Sequence, residues 1–334
     1  MNTMTEERKV TLVIVAGITL ALLVFSFVTT GDAGDFAITI MSGLFQGMLL
    51  FLVASGLSIV FGLMDILNFA QGAFFMIGAY IGYEIHHATG LIDIIPDPNI
   101  RFVLSLIGAT MIGAIMGWIL ERVLLRPLYV RPLFQLVLTF GVALVMLEIV
   151  KSIWGVRPRN WTDTFSILES SFTVFGQPFT LYRPFVVVVG IALIISIALL
   201  LNRTRIGIII RAGVEDAEMV EALGINVRAV FTLVFTLGSA VAALGGGVAA
   251  PFLGASLEMG NAFLLAAIAV VVLGGLGSYE GTAIASILVG LSVAVVAKFA
   301  TQYINQPVWA SITPMLVLII ILLIRPSGLF GKER

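Results

Sequence analysis

Eight stretches of this chain are long and apolar enough to cross a lipid bilayer as helix. They lie near residues 10–28, 36–61, 102–120, 133–150, 184–201, 229–250, 281–297 and 309–324. A hydrocarbon core of ~30 Å needs ~20 apolar residues as helix. Two shorter runs, 73–85 and 263–276, reach only about two thirds of that thickness at about 1.5 Å per residue. They read as short spans inside a bundle or as re-entrant halves. Composition agrees, since 60% of the 334 residues are hydrophobic and 11% charged, against ~25% charged on an ordinary soluble domain. The predicted fold is an all-α polytopic membrane protein, one transmembrane domain over residues 1–334, with about ten transmembrane helices when both short runs cross.

The charge balance excludes other classes. A net charge of −1 offers no basic face for nucleic acid. The absence of cysteine removes disulfides and thiolate metal sites. Neither a metal nor a cofactor is called for.

Loop charges set the predicted orientation. Basic residues gather before the first run (Arg8, Lys9), in the 121–132 loop (Arg122, Arg126, Arg131), in the 202–228 loop (Arg203, Arg205, Arg211, Arg228) and in the tail (Arg325, Lys332, Arg334). The loop Gly31-Asp32-Ala33-Gly34-Asp35 has none. With ten crossings all of these basic loops are cytoplasmic, as are both termini. The first run is longer than a signal-peptide core and no A-x-A site follows, so it reads as an uncleaved helix. One external segment is long, 151–183. Within it Ser171–Phe175 and Phe179–Tyr182 alternate around Gly176-Gln177-Pro178, a hairpin pattern. It reads either as a lid over helix ends or as a docking surface for an external protein.

Polar residues at membrane depth are few. Glu84, Glu121, Arg122, Glu148, Lys151 and Lys298 sit at run ends, and the middles hold Gln46, Gln71 and Gln135 without a carboxylate. His86 and His87 read as part of a solvated external helix end. An ion-coupled secondary transporter wants a titratable group in its path, so energy is expected from elsewhere. The glycine pairs Gly43/Gly47, Gly78/Gly82 and Gly113/Gly117 present flat helix stripes. These suit tight internal packing or a subunit interface.

Two breaks interrupt the apolar pattern, Asp65–Gly72 and Leu273–Gly281. Broken helices are tolerated only inside protein or beside an aqueous cavity. Asn68, Gln71 and Gly72, with Gly274, Gly275, Gly277 and Ser278, are therefore expected near a translocation route or shaping the helices beside it. The second break is no phosphate cradle, because G-x-x-x-x-G-K-[ST] occurs nowhere. Within the 202–228 loop, Gly213–Gly224 reads as a short helix ended by a glycine cap. Val214, Ala217, Val220 and Leu223 recur on one face, with Glu215, Glu218 and Glu221 on a neighbouring one. An acidic helix suits a protein groove better than an anionic lipid surface. A passive solute channel would explain the glycine-rich breaks but not this helix.

Several blocks in order carry a family resemblance. They are Asn68-Phe69-Ala70-Gln71-Gly72 followed by Met76-Ile77-Gly78-Ala79-Tyr80, then Arg211-Ala212, Glu215-Asp216 and Ala222–Asn226. Val272–Ser278 and Arg325–Gly331 complete them. The chain resembles the membrane permeases of ATP-binding-cassette importers for branched-chain amino acids, the LivH/LivM family, and is closer to the LivH branch. The resemblance implies a bacterial inner-membrane subunit that is not itself an enzyme. Its partners would be a second related permease, two cytoplasmic ATPases that hydrolyse ATP, and a periplasmic solute-binding protein. It also implies that 213–226 is the coupling helix, with Arg211, Glu215, Asp216, Glu218, Glu221 and Gly224 at the ATPase contact. The wider E-A-A…G loop pattern is matched at Glu218 and Gly224, with Met219 and Val220 replacing the alanines. Many relatives have His where this chain has Gln71. Solutes of such permeases include leucine-type amino acids, urea, short amides and aromatic acids.

Overall fold

The computed structural model describes residues 2–64, 66–129, 131–215 and 217–331. Helices dominate, as the apolar runs require: α1 (Asn2–Thr30), α2 (Ala33–Met64), α3 (Gln71–His87), α4 (Thr89–Ile94), α5 (Pro98–Ile119), α6 (Pro132–Trp154) and α7 (Ser166–Glu169). After a hairpin of β1 (Ser171–Val174) and β2 (Gln177–Thr180) follow α8 (Tyr182–Arg203), α9 (Arg205–Glu215), α10 (Ala217–Ala222), α11 (Val227–Leu253), α12 (Met259–Gly274), α13 (Tyr279–Phe299) and α14 (Val308–Ile324). α5 runs on through a π-helical turn, Leu120–Leu125, and a tight turn, Arg126–Leu128. The chain is a polytopic all-α membrane protein.

Seven helices, α1, α2, α5 with its extension, α6, α8, α11 and α13, are long and apolar enough to span a bilayer. Three shorter ones join them in the bundle. The 73–85 run lies in α3, of 17 residues, and the 263–276 run in α12, of 16, except for its last two residues, which follow the helix. The 309–324 run, expected at full length, forms a helix of 17 residues, about 26 Å at the helical rise.

Local chemistry sets the helix ends. Asp97 caps α5 by accepting from the Asn99 N–H at 2.8 Å, with Pro98 in the first turn. Asn226 caps α11 through the Ala229 N–H and Ser278 caps α13 through the Gly281 N–H, both at 3.1 Å. The hairpin pairs Ser171 with Thr180 and Val174 with Gln177. Its turn residues, Phe175 and Gly176, both have positive φ, as a right-twisting two-residue hairpin turn requires.

The core forms where helices touch through bare backbone. A Cβ on Gly43 would stand 2.8 Å from the Leu291 Cα, and one on Gly47 2.8 Å from the Ser286 carbonyl oxygen. α2 thus lies directly on α13. At Gly78 the obstacle is the Ala243 carbonyl oxygen at 2.0 Å, and at Gly113 it is the Ala243 side chain at 2.3 Å. α3 and α5 therefore press on α11. All three glycine pairs singled out in the sequence are consumed inside the chain, which removes them as subunit surfaces. α2 is the most enclosed of the long helices, whereas α1, α6 and α8 are peripheral.

Gly78→Leu should cost more than the ~1–3 kcal/mol of ordinary overpacking, because what it strikes is backbone. A fall in Tm, or loss of the monodisperse peak in detergent, is the expected readout. Gly141→Ala, in open space, should leave Tm unchanged; equal losses for both would contradict this packing.

Candidate functional site

Residues 66–70 have no helical structure, and the chain resumes as α3 at Gln71. This backbone is buried, so each polar group needs a partner. The Asn68 carboxamide oxygen accepts from the Ala70 N–H at 3.0 Å, and its Nδ2 donates to Gln71 Oε1 at 3.2 Å. Gln71 Nε2 donates to the Gly238 carbonyl of α11 at 2.9 Å. The Phe69 N–H donates to Thr139 Oγ1 of α6 at 3.3 Å. A Cβ on Gly72 would meet the Gly260 carbonyl oxygen of α12 at 2.2 Å. The break is a knot joining α2, α3, α6, α11 and α12, with its side-chain amides spent on protein. A neutral amide suits Gln71 because it must donate and accept at once.

The second break is equally closed. Gly275 and Gly277 both take positive φ, 98° and 78°, which glycine alone adopts without strain. A Cβ on Gly274 would stand 2.5 Å from the Gly281 carbonyl carbon, and one on Gly275 2.3 Å from the Gly331 nitrogen. The Leu329 N–H donates to the Leu273 carbonyl at 2.7 Å and the Phe330 N–H to that of Gly274 at 3.1 Å. The Arg325–Gly331 block is therefore laid on the Leu273–Ser278 block. Gly277 also abuts Gly62 of α2.

The 202–228 loop is helical over Arg205–Glu215 (α9) and over Ala217–Ala222 (α10). Arg211 of α9 donates to the Leu201 carbonyl at 2.8 Å and to Asn202 Oδ1 at 2.9 Å, clasping the end of α8. Asp216, and the side chains of Glu215 and Glu218, lie outside the described residues. Val220 is buried, whereas Glu221 and Leu223 are exposed. Gly224, with φ of 82°, ends α10. Its N–H donates to Glu221 at 2.9 Å and that of Ile225 to Val220 at 3.3 Å, the paired carbonyl closure of a left-handed helix stop.

A cleft of about 510 Å³ opens between α2, α12, α13 and α14. Its walls are apolar, Leu50, Phe263, Val293 and Met315 among them, but Gln46 and Ser311 also line it. Neither side chain hydrogen-bonds within the described residues. Pro314 has no N–H to give the Ala310 carbonyl one turn earlier, and Ala310 lines the same cleft. Unpaired amides are costly in hydrocarbon, so this cleft suits water or a polar solute better than acyl chains. Sequence reasoning noted Gln46 as a mid-helix amide but had no signal that α14 would bring Ser311 and Pro314 to it.

At another helix end His86 departs from its expected solvated setting. It is fully buried, with Nε2 donating to the Asp163 carbonyl at 3.0 Å. Arg101, also buried, donates to the His86 carbonyl at 3.1 Å and pairs with the Asp163 carboxylate at 2.7 Å. Trp161 and Phe165 cover the imidazole. The segment after α6 is thus folded back over the ends of α3 and α5.

A family model described as "Branched-chain amino acid transport system / permease component" matches residues 39–322, from α2 into α14. The chain belongs to this permease family. It is 30% identical over 304 residues to the high-affinity branched-chain amino acid transport system permease protein LivH of Salmonella typhimurium, covering 87% of this chain and 94% of that protein. The LivH protein of Escherichia coli is 29% identical with the same coverage. The permease protein BraD of Pseudomonas aeruginosa is 29% identical over 88% of this chain and 95% of its own length.

As a member, the chain is a multi-pass inner-membrane permease subunit of an ATP-binding-cassette importer, a transport protein rather than an enzyme. Both breaks of the permease fall inside the matched region, as does the loop of α9 and α10.

Gln71→Leu would leave the Asn68 amide N–H without its partner, a loss of about 1–3 kcal/mol for the buried group left unpaired, and would remove the bond from α3 to the Gly238 carbonyl. Tm and uptake should fall together. A stable variant with normal Tm would show that the knot does not hold α3 on α11.

Proposed function

We propose that this permease forms, with a second, related permease, the route by which branched-chain amino acids enter the cell. A periplasmic solute-binding protein delivers the solute, and two cytoplasmic ATPases drive the cycle. The family match over residues 39–322, with LivH and BraD as full-length relatives, carries this reading.

In it the ten crossings are α1, α2, α3, α5, α6, α8, α11, α12, α13 and α14, with both termini in the cytoplasm. That orientation places the basic 121–132 and 202–228 loops inside. Residues 151–183, with the hairpin, are then external, and 202–228 form the cytoplasmic coupling loop. Glu215, Asp216, Glu218, Glu221 and Gly224 meet an ATPase, while Arg211 braces the loop on α8. The solute passes along the cleft of Gln46 and Ser311, where apolar walls suit an aliphatic side chain and the amide suits its polar end. Asn68, Gln71, Gly72, Gly274, Gly275, Gly277 and Ser278 shape the helices beside it.

Co-expression with the neighbouring transport genes and reconstitution in liposomes tests the reading. Leucine uptake should require the ATPases and internal ATP. Gradient-driven flux through the chain alone would overturn it, and uptake of urea without leucine would overturn the solute assignment. Replacing Glu218 and Glu221 by Lys should abolish ATP-driven uptake and ATPase co-purification with normal membrane insertion. Gln46→Leu should lower uptake at least tenfold with Tm unchanged, the reverse of a packing defect; full uptake would clear the cleft of a role.

A further inference from the structure

A second cleft, of about 430 Å³, lies where the extension of α5 meets the first turns of α11. Arg122 and Arg126 line it from the π-helical and tight turns. Among the described residues neither guanidinium has an ion pair or a hydrogen bond to a side chain or carbonyl. Arg122 instead lies over the Trp118 ring, 5.2 Å from its centroid. The nearest carboxylate in sequence, Glu121, is fully buried, takes the Tyr129 hydroxyl and makes no ion pair with either arginine. Burial, and then that carboxylate, push the Tyr129 hydroxyl well above the usual tyrosine range, so it remains a donor at every working pH.

The opposite wall completes a donor-rich site. Asn226 lines the cleft, and its side-chain oxygen is spent on the α11 cap, which leaves the amide N–H groups to face a ligand. The Thr236 hydroxyl is enclosed and has no partner. No lining residue is acidic. Beneath the charges the wall is apolar, with Ala229 and Leu233. Ile115 and Ile119 on α5, and Val123 on its extension, are all exposed, so the helix that carries Trp118 and Arg122 also offers apolar surface to lipid.

We propose that this cleft binds the phosphodiester headgroup of an anionic phospholipid, held by Arg122 and Arg126, with the acyl chains running down the outside of α5 past Trp118. Paired guanidiniums match a phosphate geometrically. Trp favours the level where headgroup meets hydrocarbon, and basic pockets between transmembrane helices are suited to such headgroups. A soluble phosphate would use the arginines but gain nothing from the apolar wall. Because α11 begins at Val227, at the end of the 202–228 loop, a lipid here braces the base of that loop. The inference does not depend on which solute the permease carries.

Native mass spectrometry of the full chain in a neutral detergent, titrated with phosphatidylglycerol or phosphatidylcholine, tests it. Wild type should retain phosphatidylglycerol at least tenfold more tightly than phosphatidylcholine. That preference should vanish in R122Q/R126Q and largely survive in R122K/R126K. Should the glutamine variant fail to fold, wild type in high salt replaces it, and the preference should collapse there too. Equal retention of the two lipids by wild type, or an unchanged preference in R122Q/R126Q, would overturn the proposal. Displacement of bound lipid by inorganic phosphate alone would assign the site to a soluble anion and overturn it likewise.

Discussion

Backbone-to-backbone contact between helices is the constraint on which this structure rests. Lipid supplies no hydrophobic force to press helices together, so association in a bilayer depends on close packing and internal hydrogen bonds. Here that closeness is extreme: a single added carbon on Gly47, Gly78 or Gly290 would lie within 2.8 Å of backbone on the facing helix. α2 on α13, and α3 with α5 on α11, follow from those bare stripes. The short α12 packs in turn on α2 and α13, and α14 on α12 and α13.

Tight packing in turn permits irregular backbone at depth. The non-helical return before Gln71 survives because Asn68, Gln71 and Thr139 partner it within protein. The glycine turn after α12 survives because the C-terminal segment is hydrogen-bonded onto it. Two clefts among the described residues are lined by polar groups without partners in the protein. One is the Gln46 cleft at membrane depth, neutral and mostly apolar. The other is the arginine cleft at the foot of α11. The difference in charge suits them to different occupants, a small solute in the first and an anionic headgroup in the second.

Much of the fold was legible because each span is a contiguous apolar run, and the breaks were legible because Asn, Gln and Gly interrupt those runs. What was not legible depends on residues distant in sequence. Nothing near Leu273–Ser278 indicates that Arg325–Gly331 lies on it. His86 looked solvated because its cover, Trp161 and Phe165, arrives from beyond α6. The glycine stripes announced close packing without naming partners, and all three proved internal. Gln46 is one amide in an apolar helix until α14 brings Ser311 and the proline-freed carbonyl of Ala310 beside it.

The division between a closed knot and an open, polar-lined cleft is the central claim, and a chain without native cysteine allows it to be read directly. Single cysteines would be placed at Gln46, Ala262 and Ser311 in the cleft, and at Asn68 and Gly260 in the knot, in the assembled transporter. Each would then be treated with a small, water-soluble, membrane-impermeant thiol reagent. The cleft positions should react, and transported solute should slow them, while the knot positions stay inert until the protein unfolds. Rapid labelling at Asn68 with none at Gln46 or Ser311 would contradict the account and return the route to the helix breaks.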